Sequence, residues 1–515
     1  MTEVSEMTAN MNVSYTPTAQ AALHPDHPAQ IMAGSGKVMT YAELDAESAR
    51  IARLLRERGL RTGDHVALLV GNHERTLQLC WAAQRSGLYW TPLNTRWTVD
   101  ELTHVVSDSG AAALFVAADF MATGQEIAEL VPALKVRIGL DGGGGLFEGL
   151  EQACAGLSGE PLDDESEGCD MLYSSGTTGK PKGVKPGSVG APFGTLDATT
   201  TAIRKNHGMT EDSVFLAATP LFHVAALASA LTSHRIGGIV VVLERFGTTA
   251  FLSAVETFGV THTMVVPTIL SRLLEVPEES RAQHDLSSLV FVGHGGAPCP
   301  VSIKDRSLEW LGPIVYDCWG ATERPGLTMI GPDEWPLKKG SIGRPISGVA
   351  HVLDEQEREL PPGEVGYFYW SGNKPFEYHH DPVKTAASRD HRGWCTVGDM
   401  GYIDEDGYLF ITDRAAHMII TGGENVYPLE VENLLVEHPR VRDVAVIGRD
   451  DADYGQRVVA VIEPTPGDEA GSELAEELLA FCRKRLAGYK CPRTIEFLPH
   501  LPRSATGKLV KRLLI

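Results

Sequence analysis

Residues 171–185 read MLYSSGTTGKPKGVK, and the interpretation of the whole chain starts from them. After an apolar start the segment consists of glycine, serine, threonine, lysine and one proline up to Gly183, with no acidic residue. Backbone N–H groups of a glycine-rich loop can turn inward onto phosphate oxygens, while hydroxyl groups add donors and lysines add charge. We therefore expect a loop that binds a triphosphate, with a plain surface loop as the alternative.

The segment differs from two common nucleotide-binding motifs. A Walker loop needs a glycine five residues before its Gly-Lys pair and a serine or threonine after the lysine. Those positions hold Ser174 and Pro181, and the pattern GxGxxG does not occur. The sequence thus argues against a P-loop NTPase and against a kinase-like phosphotransferase.

Composition predicts a globular protein with more than one domain. The 515 residues are 43% hydrophobic and 22% charged, and the formal net charge is −22. Such acidity argues against nucleic acid as a partner. The longest apolar run, 236–243, is much shorter than the roughly 20 residues of a membrane-spanning helix, so no transmembrane segment is expected. A polar N-terminus and eight cysteines without metal-site spacing predict a cytoplasmic protein with reduced thiols.

Hydrophobic patterning predicts an α/β fold in two parts. Short apolar runs alternate with helical stretches from about 40 to 345, which is typical of layered α/β architecture with mostly parallel sheet. A β-rich element follows at 360–413, and a new α+β pattern begins after it. We place an N-terminal domain at 1–413 and a C-terminal domain at 414–515. The predicted strands are 65–70, 214–219, 237–243, 263–267, 289–293, 441–448, 457–464 and 494–499, and the predicted helices are 42–58, 74–85 and 472–486.

The segment SSGTTGKPKG resembles the phosphate loop of the adenylate-forming superfamily, which includes acyl- and aryl-CoA ligases, luciferases and peptide-synthetase adenylation domains. The resemblance runs from about Tyr41 to Lys508, with further motifs in order. It implies ATP, Mg²⁺ and coenzyme A as cofactors and a small carboxylic acid as substrate. It also implies a mobile C-terminal domain. An adenylating enzyme that delivers the acyl group to a carrier protein or another acceptor stays open, as do a non-catalytic binder of the same fold and a homodimer.

The same resemblance implies a set of nucleotide-binding residues. Trp319 would stack on the purine, Glu323 would hold Mg²⁺, and Asp399 would accept the ribose hydroxyl groups with help from Arg414. The catalytic residues would be Lys508, Glu323 and Thr178. The full ATP/AMP set is Ser174, Ser175, Gly176, Thr177, Thr178, Gly179, Lys180, Gly295, Gly296, Ala297, Pro298, Asp317, Trp319, Gly320, Thr322, Asp399 and Arg414.

Further residues are assigned by resemblance to the acyl pocket, the thiol channel and the hinge. Ala416 occupies the hinge position, where the family usually has Asp or Lys. A second departure follows the loop, where 185–187 reads KPG instead of a Thr-His pair. The acyl pocket would comprise His223, Val224, Leu227, Gly293 and His294, and the CoA channel Gly422, Gly423 and Glu424.

Two apolar segments and a group of histidines give two further expectations. The segments 224–227 and 265–267 are apolar and lack Arg or Lys, which favours a hydrophobic monocarboxylate. His379, His380, Asp381 and His391 lack further metal-ligand spacing, so they are interpreted as a polar loop.

Overall fold

The computed structural model describes residues 15–174, 181–185, 187, 189–414, 417–421, 424–451, 454–503 and 509–515, with Arg414 described by its backbone alone. The described chain has the predicted α/β architecture. Two large sheets and their helices form the N-terminal part, a four-stranded sheet follows, and a separate sheet with two helices forms the C-terminal part.

The two large sheets are mostly parallel, which explains the nearly continuous apolar runs of their strands. In the nine-stranded sheet three pairings are antiparallel, the first two at one end of the strand order and the last one at the other end, and the six-stranded sheet is parallel throughout. In sheet order the nine strands are Arg344–Ser347, Leu327–Ile330, Val315–Gly320, Phe291–His294, His262–Val265, Val214–Ala217, Ile239–Val242, Pro28–Met32 and Val38–Thr40. The six are Glu148–Gly149, Val136–Gly139, Ala111–Val116, His65–Leu69, Tyr89–Pro92 and Cys169–Asp170.

Helices cover these sheets, and two of them begin with a capping box. Thr40 and Glu43 cap the helix Tyr41–Glu57, and Thr98 and Glu101 cap the helix Val99–Asp108. In each box the threonine side chain accepts the glutamate N–H and the glutamate side chain accepts the threonine N–H. The α-helices of the N-terminal part are Pro17–Leu23, Tyr41–Glu57, Thr76–Arg85, Val99–Asp108, Met121–Leu130, Leu150–Ala153, Ala198–Asn206, Val224–Arg235, Thr248–Phe258, Pro267–Leu274, Glu278–Arg281, Val301–Leu311 and Pro382–Ala387.

Smaller sheets follow along the chain. The strands Val349–Leu353, Gly366–Ser371, Asp399–Ile403 and Leu409–Arg414 form an antiparallel sheet. The predicted strands 441–448 and 457–464 are Val441–Asp451 and Gly455–Pro464, and the predicted helix 472–486 ends earlier, at Arg483. The C-terminal sheet also contains Ile419–Thr421, Glu424–Val426 and Thr494–Phe497, and Pro428–Leu435 and Ser472–Arg483 are its helices.

Candidate functional site

A small antiparallel sheet of three strands frames the glycine-rich loop, and its first two strands, which flank the loop in sequence, form a hairpin. Leu172–Ser174 pairs antiparallel with Lys182–Lys185, so that Ser174 lies opposite Lys182 at the base of the loop. Glu377–Tyr378 adds a third strand, with Tyr378 opposite Val184. Ser174 is thus placed at the loop base, while the remaining loop residues of the prediction lie outside the described residues: Ser175, Gly176, Thr177, Thr178, Gly179 and Lys180.

Glu323 faces this hairpin. Its Oε1 accepts a hydrogen bond of 3.0 Å from the hydroxyl group of Tyr378. The next residue, Arg324, has a φ of 52° and forms an ion pair with Asp170, in which both side chains are only 12% exposed. This ion pair connects the turn that carries Thr322 and Glu323 to an edge strand of the six-stranded sheet. The connection restricts the position of the Glu323 carboxylate.

Two lysines near Glu323 were not assigned from the sequence. The Nζ atom of Lys384 lies 4.1 Å from the centroid of the Tyr378 ring. Burial, together with a contact with Lys182 that brings two like charges together, lowers the pKa of Lys384 to about 8. Two ammonium groups this close favour an anionic ligand. No sequence spacing points to Lys384, because only the pairing of Tyr378 with the hairpin brings it here.

A cavity of about 280 Å³, called the small cavity, is partly lined by the strand Val315–Gly320, which leads to the turn that carries Glu323. Trp319 stacks on Trp370 at 4.9 Å, and its indole N–H donates to Asp399 Oδ2 at 3.0 Å. Gly295 lies so close to the neighbouring strand that a Cβ atom would be 2.1 Å from the carbonyl oxygen of Cys318. The predicted residues on its wall are Gly295, Gly296, Ala297, Pro298, Asp317, Trp319, Gly320 and Asp399.

Asp317, on the wall of the small cavity, has two buried ionisable neighbours, Lys304 and His294. Burial raises the pKa of Asp317 to about 6, partly offset by the positive charge of Lys304. Lys304 is fully buried, with its Nζ atom 4.0 Å from the centroid of the Trp335 ring. His294 is also fully buried, and burial followed by the charge of Lys304 lowers its pKa to about 3.

Asp413 and residues of the C-terminal part close the small cavity. Asp413, His417 and Leu509 line it, as do Glu432 and Lys511, which form an ion pair of 2.8 Å. Two of the site residues predicted in 414–515 have a place in the structure. Arg414 pairs with Asp399 in the four-stranded sheet, and Glu424 is exposed at the start of its strand. The other four, Lys508, Ala416, Gly422 and Gly423, lie outside the described residues.

A second cavity of about 930 Å³, called the large cavity, opens near the carboxyl ends of several parallel strands. Four arginines line it, and so does Phe222, the neighbour of His223. Four acidic residues lie on the same wall, Glu74, Asp119, Asp141 and Glu244, and two of the arginines are already in ion pairs, Arg245 with Asp119 at 3.7 Å and Arg503 with Asp443. The wall is therefore polar and carries charges of both signs. The arginines are Arg96, Arg245, Arg272 and Arg503.

The predicted acyl-pocket residues do not all face open space. Gly293 and His294 belong to a buried strand, and neither is on the wall of the small or the large cavity. Leu227 is buried in the core, and Val224 packs against that core from a half-buried position. His223 precedes the helix that carries them, with its ring 4.4 Å from that of Phe222. Their acyl-pocket role stays a prediction.

All eight cysteines are free thiols. Among the described residues no helix combines the length and the apolar character needed to cross a bilayer.

Comparison with known proteins places the chain in a family. The model of the AMP-binding enzyme family matches residues 18–377, and the model of its C-terminal domain matches residues 430–508. A feruloyl-CoA synthase from Amycolatopsis sp is 35% identical over 505 residues, which are 98% of each chain. A fatty acid–[acyl-carrier-protein] ligase from Streptomyces coeruleorubidus is 31% identical over 511 residues, 96% of this chain and 94% of that protein.

A solved structure agrees with this result. ATP-bound MatB from Rhodopseudomonas palustris has a TM-score of 0.83 at 29% identity, covering 97% of this chain and 98% of that chain. The chain therefore belongs to the AMP-binding enzyme family, in the adenylate-forming superfamily, and is an AMP-forming acid–thiol ligase.

Proposed function

We propose that the enzyme joins a hydrophobic monocarboxylic acid to AMP and then transfers the acyl group to coenzyme A, releasing AMP and pyrophosphate. One observation carries this proposal. Trp319, which hydrogen-bonds Asp399 in the small cavity, stands four residues before Glu323, which contacts the hairpin of the glycine-rich loop. A nucleoside site and a polyanion site thus adjoin, as ATP requires.

In the first step the substrate carboxylate attacks the α-phosphorus, and the bond to pyrophosphate breaks. Negative charge grows on phosphoryl oxygens, so fixed donors and cations lower the barrier. Ser174 and the loop after it, including Thr178, would hold the phosphates, together with Lys182 and Lys384. Lys508 would add its positive charge at the reacting phosphate, and the next residue in the chain, Leu509, lines the small cavity.

Glu323 fits a magnesium ion. Tyr378 donates to one of its oxygens, and a carboxylate can also coordinate a cation that prefers oxygen ligands. When bound, Mg²⁺ would neutralise charge on the phosphate oxygens. The half-buried position of Glu323 and its tie through Arg324 keep the carboxylate in place for that ion.

In the second step a thiolate attacks the acyl-adenylate carbonyl and AMP leaves. Coenzyme A as the acceptor is supported by the 35% identity to a relative named a feruloyl-CoA synthase, and Arg96 and Arg272 on the wall of the large cavity offer positive charge to a ligand rich in phosphate. Gly422, Gly423 and Glu424 would line the path of the thiol arm. The domain 414–515 would turn about Ala416 between the steps, exchanging Lys508 for this loop.

The acid is assigned as hydrophobic from two apolar segments, 224–227 and 265–267, which contain neither Arg nor Lys. Val266 lies on the wall of the large cavity, whereas Leu227 and Val265 are buried. Apolar segments of this kind favour an acid without a second charge.

A second candidate is an enzyme that passes the acyl group to a carrier protein. The observation in its favour is the 31% identity to a relative named a fatty acid–[acyl-carrier-protein] ligase. The two candidates share the adenylation step and differ only in the acceptor.

One assay tests both. Purified enzyme is incubated with ATP, Mg²⁺ and a panel of aliphatic, aryl and dicarboxylic acids, with coenzyme A, with a carrier protein whose phosphopantetheine thiol is free, or with neither. AMP, pyrophosphate and an acyl-CoA thioester from an apolar acid support the main proposal. A thioester on the carrier alone supports the second candidate, whereas ADP as product, or preference for a dicarboxylate, contradicts the proposal.

A further inference from the structure

Three side chains from two distant parts of the chain meet beside the hairpin. Asp108 ends the helix Val99–Asp108, whereas His379 and His380 follow the strand Glu377–Tyr378. One ligand atom from each lies within 4.8 Å of those of the other two. The sequence interprets the two histidines as part of a polar loop, and only the fold adds the carboxylate that makes them three potential ligands.

Asp108 and His379 are oriented by hydrogen bonds. The Tyr173 hydroxyl donates to Asp108 Oδ2 at 2.6 Å, and Asp108 Oδ1 lies 3.6 Å from His380 Nδ1. His379 Nε2 lies 3.0 Å from the carbonyl oxygen of Asp108, so Nε2 carries the proton and Nδ1 keeps a lone pair. Carboxylates and imidazoles that bind metals in proteins are usually oriented by such outer hydrogen bonds.

His380 is the most exposed of the three residues. Its side chain is 67% exposed, and its ring stacks on that of His379 at a centroid distance of 3.7 Å. The imidazole of His380 must therefore rotate out of this stack before both rings can direct a nitrogen lone pair at one ion.

We propose that Asp108, His379 and His380 bind a divalent transition metal that prefers imidazole, such as Zn²⁺ or Co²⁺. Two imidazoles and one carboxylate form a donor set typical of these ions. With bond lengths of about 2.0–2.2 Å, the ligand atoms of a tetrahedral site lie roughly 3.3 Å apart. The ligand atoms here lie within 4.8 Å of one another, and a movement of the exposed His380 ring brings them to that separation. The open side towards solvent completes the coordination with water.

The site connects to both strands that frame the glycine-rich loop. Tyr173 lies on the first strand, and the His379 N–H donates to the Gly183 carbonyl oxygen of the second at 2.9 Å. A bound ion would therefore brace the hairpin, and the proposal stands independently of the reaction at the loop.

The chain offers a matched control. Glu357, Asp390 and His391 also lie within ligand distance of one another. Asp390, however, accepts the N–H groups of Arg392 and Trp394 at 2.9 and 2.8 Å and the Arg392 guanidinium at 2.6 Å. Its oxygens are occupied by positive and N–H partners, so this second cluster is not expected to bind a metal.

The experiment titrates the full-length, chelator-treated enzyme with Zn²⁺ by calorimetry and with Co²⁺ by visible absorption. The variants are Asp108→Asn, His380→Asn and, as control, His391→Asn. Asparagine tolerates the left-handed backbone at position 380, where φ is 55°, and circular dichroism checks that all variants fold.

We expect one ion per chain, at least a tenfold weaker affinity in both site variants and unchanged affinity in the control. The thermal stabilisation of the wild type by Zn²⁺ should also vanish in Asp108→Asn. The proposal is overturned by a wild type that binds no ion, by site variants that bind as tightly as the wild type, or by equal loss in His391→Asn. A sulfur-to-Co²⁺ charge-transfer band, which would place the metal on cysteine, also overturns it.

Discussion

Replacing Lys384 by methionine tests whether the two lysines beside Glu323 bind the departing pyrophosphate. Methionine keeps an apolar stem against the Tyr378 ring and removes the ammonium group, which lies 4.1 Å from the ring centroid. A charge-assisted hydrogen bond contributes about 1.5–3 kcal/mol, whereas the Coulomb limit at 4 Å is about 4 kcal/mol at an effective dielectric constant of 20. Lys384 is half-buried, so solvent screening favours the lower figure.

We therefore expect the KM for pyrophosphate in pyrophosphate–ATP exchange to rise about tenfold in Lys384→Met. Binding of AMP, measured by calorimetry, should not change, because the small cavity is formed by other residues. The exposed Lys135→Met controls for the loss of one positive charge. An unchanged KM for pyrophosphate, or an equal loss of AMP affinity, would refute the assignment.

The same variant has a pH signature. The pKa of Lys384 is about 8 without ligand, and an anion binds its protonated form, so binding raises this pKa. Wild-type affinity for pyrophosphate should therefore fall between pH 7.5 and about 9, whereas Lys384→Met should lack this component and Lys384→Arg should retain affinity at high pH. Identical pH profiles for all three enzymes would contradict the role of this ammonium group.

Three further outcomes are expected. Lys508→Ala should abolish adenylate formation yet preserve thioester formation from supplied acyl-adenylate, and survival of both half-reactions would exclude the lysine. Trp319→Ala should weaken ATP binding by about 1–3 kcal/mol through lost stacking, measured as the dissociation constant; an unchanged constant would argue against a purine platform. Asp317→Asn should raise the melting temperature at pH 8, because burial raises the Asp317 pKa to about 6 and penalises its charged form above that pH. The corresponding gain in the free energy of unfolding, about 1–3 kcal/mol, should vanish as pH falls towards 3.8. Equal gains at pH 8 and near pH 3.8 would contradict this cause.

The fold class and the order of the motifs could be predicted from the amino-acid sequence alone. The apolar runs 65–70 and 289–293 contain the strand His65–Leu69 and most of the strand Phe291–His294, because burial on both faces requires continuous hydrophobicity, a property that is local in sequence. The loop at 171–185 likewise carries its chemistry in adjacent residues, so it indicated a phosphate ligand without a structure.

Which distant side chains share a site became apparent only from the folded chain. The contact of Tyr378 with Glu323 spans 55 residues, and that of His379 with Asp108 spans 271. Lys384 belongs to the site for the same reason, since the pairing of Glu377–Tyr378 with the hairpin brings it to Lys182. Hydrophobic periodicity specifies which face of an element is buried, but it does not specify which strands become neighbours. Side-chain charges, in turn, interact over a few ångströms of space regardless of their separation along the chain.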